Sequence, residues 1–578
     1  MSDTKFERNA GILMPVSSLP SPYGIGTFGK DAYDFVTFVK ECNHKYWQVL
    51  PLGPTTYGDS PYQSYSAFAG NPYFVDLDML IEAGFLLKSE VISRDWGDGI
   101  VPVNVSEDDA VNGRFGTYRD GNIGDERYVS YEKIYNNRFD ILRIAYNRFK
   151  AACAESKKTL AKGLPLYKQF DNFVKDNADW LEDYALFMAL KSHFNNVSWG
   201  EWETDIKFRK PEAMSRYEEQ LSDDIGYWKF IQFEFYLQWN ALKQYANSNG
   251  IEIIGDIPIY MGYDSVDVWA NQGEFQLDEN LTPIKVAGVP PDAFSDAGQK
   301  WGNPLYDWGY HEKTGYEWWI RRMEYSLRMY DVVRVDHFRG FDEYFSIPAK
   351  DKTAVNGHWE KGPGIELFQV IKARLGEKPI IAEDLGYVTD TVRRMVKESG
   401  YPNMKVLEFA FDSRDSSGAG DYLPHNYEHN CVAYTGTHDN ETILGWLSSI
   451  KPEEVQMVRA YLNRPTESKQ VLASELVRTT IASVADTCII PIQDYLGLDN
   501  SARINFPSTL GTNWRWRLIK SDLTKALADS IRKQNIVYGR VMWEDLQEDE
   551  KPKNPEEEKE TETEPKQKKD SSVKEAKD

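Results

Sequence analysis

Cysteine is scarce in this chain: four residues in 578, at Cys42, Cys153, Cys431 and Cys488. They lie far apart, form no Cys-x-x-Cys pair and supply no disulfide framework. Long hydrophobic runs are missing as well. No stretch of 18 apolar residues occurs, so a membrane-spanning helix is not expected. The opening residues Met1-Ser2-Asp3-Thr4-Lys5-Phe6-Glu7-Arg8 contain no apolar signal segment. These absences together fit a reducing cytoplasm and no membrane partner. Positive charge is in short supply too, with 67 Lys and Arg against 90 Asp and Glu, a net of −23. Nucleic-acid binders neutralise phosphates with clustered bases, so no nucleic-acid partner is expected. No internal repeat is visible, which argues against a solenoid or propeller.

The acidity is uneven. Residues 544–578 hold 14 acids and 8 bases, a net of −6, with no aromatic after Trp543. Such a stretch cannot bury enough apolar surface to offset the entropy of ordering it, and the reading is a disordered charged tail. The remaining −17 is compatible with an uncharged substrate. The body, 1–543, has ample material for a large core, with 41% hydrophobic and 13% aromatic residues over the chain.

Eight short apolar or β-branched runs, each bounded by Gly, Pro or polar residues, read as strands buried on both faces. They cover 11–17, 46–51, 251–257, 332–336, 379–382, 406–411, 432–437 and 487–492. Helical patterns fall between several of them, for example 32–41 and 315–328. Alternating strands and helices imply parallel pairing, and eight is the number of a (β/α)8 TIM barrel. Two gaps are too long for a simple crossover. The segment of about 52–250 has room for extra helices such as 180–194 and 227–247. The segment of about 258–330 is rich in Gly, Pro, Asp and Trp with little periodicity. Both read as insertions into one catalytic domain, after the second and third strands.

Three acids stand where strands run out. Asp336 ends Asp331-Val332-Val333-Arg334-Val335, Glu383 follows Pro379-Ile380-Ile381-Ala382, and Asp439 closes Cys431-Val432-Ala433-Tyr434-Thr435-Gly436-Thr437-His438. The carboxyl ends of barrel strands converge on one mouth, where active sites are built. Several carboxylates there suit attack on a glycosidic bond. Arg334 and Asp336, two apart on a strand, share a face, and a guanidinium keeps its neighbour ionised as a nucleophile requires. Taken alone, the pair reads sooner as a buried ion pair that holds the barrel together. Glu383, first beyond an apolar run and expected in a dry place beside Asp336, fits a proton donor with a raised pKa. Either Asp384 or Thr389 could cap the helix that follows. Thr437-His438-Asp439-Asn440 adds groups able to hold sugar hydroxyls.

A metal is the competing use of His beside acids. His425-Asn426-Tyr427-Glu428-His429 formally matches the inverted zinc-peptidase pattern. That chemistry needs a helix presenting both His on one face, and Pro424 with two Asn reads instead as a polar loop. No metal is assigned. Most of the 78 aromatic residues belong to the core by default. Tyr62 in Asp59-Ser60-Pro61-Tyr62-Gln63 and Trp301 in Gly298-Gln299-Lys300-Trp301-Gly302-Asn303-Pro304 sit among turn formers. Flat aromatic faces in loops at a barrel mouth stack on sugar rings.

Ordered segments along most of the chain resemble the 4-α-glucanotransferases, or amylomaltases, of glycoside hydrolase family 77. They include Ser17-Ser18-Leu19-Pro20-Ser21-Pro22-Tyr23-Gly24-Ile25-Gly26, Trp47-Gln48-Val49-Leu50-Pro51-Leu52-Gly53-Pro54 and Asp59-Ser60-Pro61-Tyr62-Gln63-Ser64. Further on come Gly255-Asp256-Ile257-Pro258-Ile259-Tyr260, Val289-Pro290-Pro291-Asp292 and Gly302-Asn303-Pro304-Leu305-Tyr306. The last are Arg334-Val335-Asp336-His337-Phe338-Arg339-Gly340, Ala382-Glu383-Asp384-Leu385-Gly386 and Gly436-Thr437-His438-Asp439-Asn440.

The resemblance implies a retaining transferase that needs neither metal nor coenzyme. Asp336 is then the nucleophile, Glu383 the general acid/base, and Asp439 the acid that binds and distorts the donor sugar. Arg334, His337 and His438 match positions that hold the donor glucose and the nucleophile. Tyr62, Asp292, Trp301 and Asn303 fall in segments that line the glucan groove. Ala293 departs from the pattern of some members, where an aromatic follows Pro-Pro-Asp. Maltooligosaccharides and α-1,4-glucans are the implied donors, glucose or another glucan the acceptor. A retaining α-glucan hydrolase would use the same carboxylates, and an inactive glucan-binding barrel is the rival from another class. The products made from a short maltooligosaccharide separate the three.

Overall fold

The computed structural model describes residues 8–100, 103–104, 116–117, 125–157, 165–291, 297–386, 388–413 and 419–541. The acidic tail of 544–578 lies outside the described residues, as do Asp292 and Ala293. Among the described residues no helix is long and apolar enough to cross a membrane.

Eight strands form one sheet: β1 (Asn9–Leu13), β2 (Tyr46–Gln48), β3 (Glu252–Ile257), β4 (Val332–Val335), β5 (Ile380–Ala382), β6 (Asn403–Val406), β7 (Cys431–Tyr434) and β8 (Thr487–Pro491). Their spatial order is β5-β4-β3-β2-β1-β8-β7-β6. Every neighbouring pair runs parallel. The two end strands meet where the Ala382 N–H donates to the Pro402 carbonyl at 3.0 Å, closing the (β/α)8 barrel. Side chains of period two fill its interior. Leu13, Tyr46, Ile254, Val332, Ile381, Met404, Val406, Val432, Tyr434 and Ile489 make one buried cluster. Their neighbours of opposite parity, such as Ile12, Trp47, Ile253 and Val333, pack outward in the larger core with the helices.

The inward parity continues upward into the mouth. Ile254 leads to Asp256 on β3, Val332 to Arg334 and Asp336 on β4, and Ile381 to Glu383 beyond β5. An apolar floor therefore carries a polar ceiling made by the same strands. Gly255, of outward parity, is needed for close approach: a Cβ there would lie 2.1 Å from the ring of Tyr330. Tyr330 is itself buried, and its ring backs the strand that holds Asp256.

The gap between β2 and β3 holds the long helices Tyr131–Ser156, Ala178–His193 and Ser222–Ser248. The indole of Trp239, on the last of these, donates to the Met329 carbonyl at 3.0 Å and ties the insertion to the barrel's outer layer. The segment between β3 and β4 contains short helices and Glu317–Met329, as well as two strands that its sequence does not announce. Lys285–Val289 and Gln299–Pro304 join Glu343–Pro348 and His358–Lys361 in a four-stranded antiparallel sheet. The two middle strands, Lys285–Val289 and Glu343–Pro348, are buried on both faces, and Gly288 and Gly302 interrupt the side-chain pattern, so no alternation marks the sheet.

The second and seventh strands stop three residues short of expectation, at Gln48 and Tyr434, and two others are displaced. The expected sixth strand covers 406–411, yet β6 ends at Val406 and Leu407–Phe411 is a 3-10 turn. The true strand alternates, with Met404 and Val406 buried and Asn403 and Lys405 partly exposed. It therefore lacks the continuous apolar run that marks the other strands. The first strand runs Asn9–Leu13 rather than 11–17, because Val16–Ser18 winds into a 3-10 turn after Pro15.

Candidate active site

Asp256, Arg334 and Asp336 form the floor of the mouth. Arg334 Nη1 donates to both oxygens of Asp256 at 2.7 Å and to Asp336 Oδ1 at 3.0 Å. The side chain of Asp256 is fully buried and that of Arg334 nearly so, whereas Asp336 keeps 27% of its surface. Burial opposes the charge on Arg334, but the carboxylates of Asp256 and Asp336 outweigh it and push its pKa well up. The guanidinium thus stays charged beside an accessible carboxylate.

β5 delivers Glu383 into a drier place. Burial pushes its carboxyl up to about 8, and the charge of Asp336 adds to this. Arg334 and two backbone N–H groups pull the other way. Those groups are His337 N–H to Oε2 and Leu385 N–H to Oε1, each at 2.7 Å. His337 reaches its position through a left-handed backbone, φ 50° and ψ 47°. For an L-residue that costs roughly 1–2 kcal/mol. The turn it makes returns the Gly340 N–H to the His337 carbonyl at 2.9 Å and aims the His337 N–H at Glu383. Burial pushes the His337 imidazole down to about 4, so the ring is neutral near pH 7.

Tyr62, from the loop after β2, closes one side. Its hydroxyl donates to Asp256 Oδ2 at 2.7 Å, and its ring stacks on His438 with centroids 4.9 Å apart at 19°. Burial, then the charges of Asp256, Asp336 and Asp439, push the phenol well up, so it remains a neutral donor. After β7 the Asn440 side chain accepts from both N and Oγ1 of Thr437, which folds the segment carrying His438 and Asp439 into a tight turn. Asp439 is half-exposed and accepts from Asn505 Nδ2 at 2.6 Å.

Trp301 meets this centre edge-on against His337, with centroids 5.0 Å apart at 83°. Asn303 is buried and accepts from Gln63 Nε2 at 3.2 Å, which links the antiparallel sheet to the loop of Tyr62. Nine of the ten residues singled out from sequence therefore lie around one mouth or in direct contact with it. The tenth, Asp292, lies outside the described residues. Asp256 is not among the ten, although it anchors both Arg334 and Tyr62. An acid of inward parity near the carboxyl end of an apolar strand is the available signal, the same one that marks Asp336.

His425 and His429 go separate ways. His425 Nδ1 lies 3.1 Å from the Tyr461 hydroxyl, while His429 is largely exposed and faces Asp486 at 3.5 Å. No α-helix runs through them, and among the described residues no group of three His, Cys, Asp or Glu could hold a metal. Thr389 is the cap of the helix after β5, accepting from Val392 N–H, and Asp384 serves elsewhere.

The model of glycoside hydrolase family 77, described as 4-alpha-glucanotransferase, matches residues 14–522. The chain belongs to this family. A 4-alpha-glucanotransferase of Clostridium butyricum is 48% identical over 528 residues, covering 91% of this chain and all of that one. One from Aquifex aeolicus is 40% identical over 535 residues, 92% of this chain and 99% of that one. Among solved structures, the amylomaltase of Streptococcus agalactiae in complex with acarbose superposes with a TM-score of 0.82 at 40% identity. That match covers 93% of this chain and all of the other. Family 77 thus accounts for the barrel and its insertions together.

Proposed function

We propose that this family 77 member moves α-1,4-glucan segments from a donor maltooligosaccharide to the 4-hydroxyl of glucose or another glucan, with retention. The observation that carries the reading is the contrast between two neighbouring carboxyls. Arg334 holds a charge 3.0 Å from Asp336, while burial pushes Glu383 up to about 8. Opposed environments of this kind separate a nucleophile from a proton donor.

In this reading Asp336 attacks the anomeric carbon as Glu383 protonates the departing glycosidic oxygen. The covalent glycosyl-enzyme is opened by an acceptor hydroxyl, which gives its proton back to Glu383. Retention requires the two carboxyls about 5–5.5 Å apart. Asp439, with Asn505 on one oxygen, binds hydroxyls of the donor sugar and stabilises its distortion. Arg334, His337 and His438 hold the donor and the nucleophile, and Tyr62, Asp292, Trp301 and Asn303 line the groove. No metal or coenzyme enters any step. The four cysteines, all free, support a cytoplasmic setting. The catalytic domain spans 1–543 with inserts at about 52–250 and 258–330, and 544–578 is a tail outside it.

Maltotriose alone provides the test. Transfer breaks one α-1,4 bond and makes another, so glucose and a ladder of longer glucans appear with little net gain in reducing ends. Reducing ends formed as fast as maltotriose disappears, with no longer chains, would make the protein a hydrolase instead.

A further inference from the structure

The barrel is stitched differently at one seam. Between β5 and β6 the backbone ladder is reduced to the Ala382 N–H to Pro402 carbonyl bond at 3.0 Å. Above it a side chain takes over. Asp384, 8% exposed, accepts from the Met404 backbone N–H at 3.1 Å and from Asn403 Nδ2 at 3.3 Å. Its carboxylate spans the gap that an ordinary strand pair would close with peptide groups.

Both ends of this stitch lead to the site. On the β5 side, Asp384 sits between Glu383 and Leu385, and the Leu385 N–H is one of the two donors that fix the Glu383 carboxyl. On the β6 side, Met404 offers its sulfur to Arg334 Nε at 3.4 Å. The stitch therefore sets the height of the Leu385 N–H against Glu383, whereas the Arg334 guanidinium keeps its own carboxylate partners, Asp256 and Asp336. Without it, the 383–385 turn is held to β6 by one backbone bond below.

We propose that Asp384 is a positioning residue for the reaction, fixing the Glu383 carboxyl through the Leu385 N–H by bridging the β5–β6 seam. This rests on Glu383 as the general acid/base. The Asp384 carboxylate is engaged by Met404 and Asn403, so it acts through Glu383. Around Glu383 the charged or titratable groups are Asp336, Arg334 and His337 from β4 and the turn after it. Tyr422 faces both Glu383 and Asp384 from the segment after β6, and Lys405 faces Asp384 from β6 itself.

The test compares Asp384→Ala and Asp384→Asn on two donors. The amide can still accept from Met404 N–H, and rotation of the Asn403 amide restores the second bond, so Asp384→Asn stays within about threefold of wild type. Asp384→Ala loses the stitch, and kcat on maltotriose falls on the order of 10²-fold with KM little changed, the scale of a 1 Å misplacement. The Leu385 N–H favours ionised Glu383, so loosening it moves the alkaline limb of the pH profile to higher pH relative to Asp384→Asn. Single-turnover fluoride release from an α-maltosyl fluoride, whose leaving group needs no proton, stays close to wild type.

Equal losses of Asp384→Ala on both donors, wild-type activity on maltotriose, or an unmoved alkaline limb each overturn the proposal. If Asp384→Ala does not fold, Asn403→Ala removes one bond of the stitch. A smaller loss confined to maltotriose then supports the role, and none overturns it. Full activity of Glu383→Gln on maltotriose would instead remove the acid/base reading beneath it, an outcome read from a separate variant.

Discussion

Arg334 spends one nitrogen on two acids: Nη1 lies 2.7 Å from each oxygen of Asp256 and 3.0 Å from Asp336 Oδ1. The inner carboxylate is buried and the outer one partly open, so the same cation neutralises a buried charge and faces an accessible one. Breaking a buried pair from one side leaves the other charge without compensation. Asp256→Ala is accordingly expected to lose on the order of 3–5 kcal/mol of stability in denaturant unfolding. Turnover should fall with it, because Tyr62 and Arg334 both lose their anchor. A variant as stable as wild type would mean that Asp256 and Arg334 are not an ion pair in solution.

Asp336→Asn separates shape from reactivity. The amide is nearly isosteric and can still accept from Arg334, so folding and glucan binding persist while turnover drops by several powers of ten. Binding can be followed by calorimetry with a maltooligosaccharide and turnover by product chromatography. Wild-type turnover in a sequence-verified Asp336→Asn sample would end its assignment as nucleophile.

Much of the barrel and its mouth is legible in the order of residues alone. Most of the eight strands announce themselves as short apolar runs because a strand in a barrel is buried on both faces, and the acids at their ends stand out against those runs. The pattern misplaces β6 because Asn403 and Lys405 are partly exposed while the following residues 407–411 are more apolar than the strand itself. The antiparallel sheet is hidden for another reason, its glycines and the burial of its middle strands on both faces erasing any period. Asp256 belongs to the segment Gly255-Asp256-Ile257-Pro258-Ile259-Tyr260 that carries the family likeness, yet the sequence assigns it no role. What hides it is that its partners, Tyr62 and Arg334, are distant in sequence and meet only in the closed barrel.

The raised Glu383 carboxyl has a signature in pH. A proton donor works only while protonated, so kcat/KM should fall as pH rises through about 8. Stability carries the same proton. Because the folded state holds it and an unfolded glutamate, with a pKa near about 4.3, does not, wild-type stability declines as pH rises between that value and about 8. Glu383→Gln has no proton to lose. It carries a constant penalty, since an amide nitrogen would face a backbone N–H. Its Tm relative to wild type should nonetheless improve steadily from pH 5 to pH 8. A flat difference over that range would place the Glu383 pKa near its ordinary value.

Trp301 tests how the mouth chooses between sugar and water. It stands against His337 at 5.0 Å and near Tyr260 at 6.3 Å, on the strand that also carries Asn303. An aromatic platform there favours a bound sugar over solvent in the interval after the first bond breaks. Trp301→Ala removes the platform and loosens the strand, while Asp336 and Glu383 keep their own partners. Fewer acceptors are then in place when the covalent intermediate forms, and water takes a larger share. Reducing ends released per maltotriose consumed should rise several-fold over wild type, even as total turnover falls, by roughly the tenfold that 1.4 kcal/mol of lost binding represents. If turnover falls but that ratio holds, Trp301 contributes to donor binding alone, and exclusion of water must lie with other residues of the mouth.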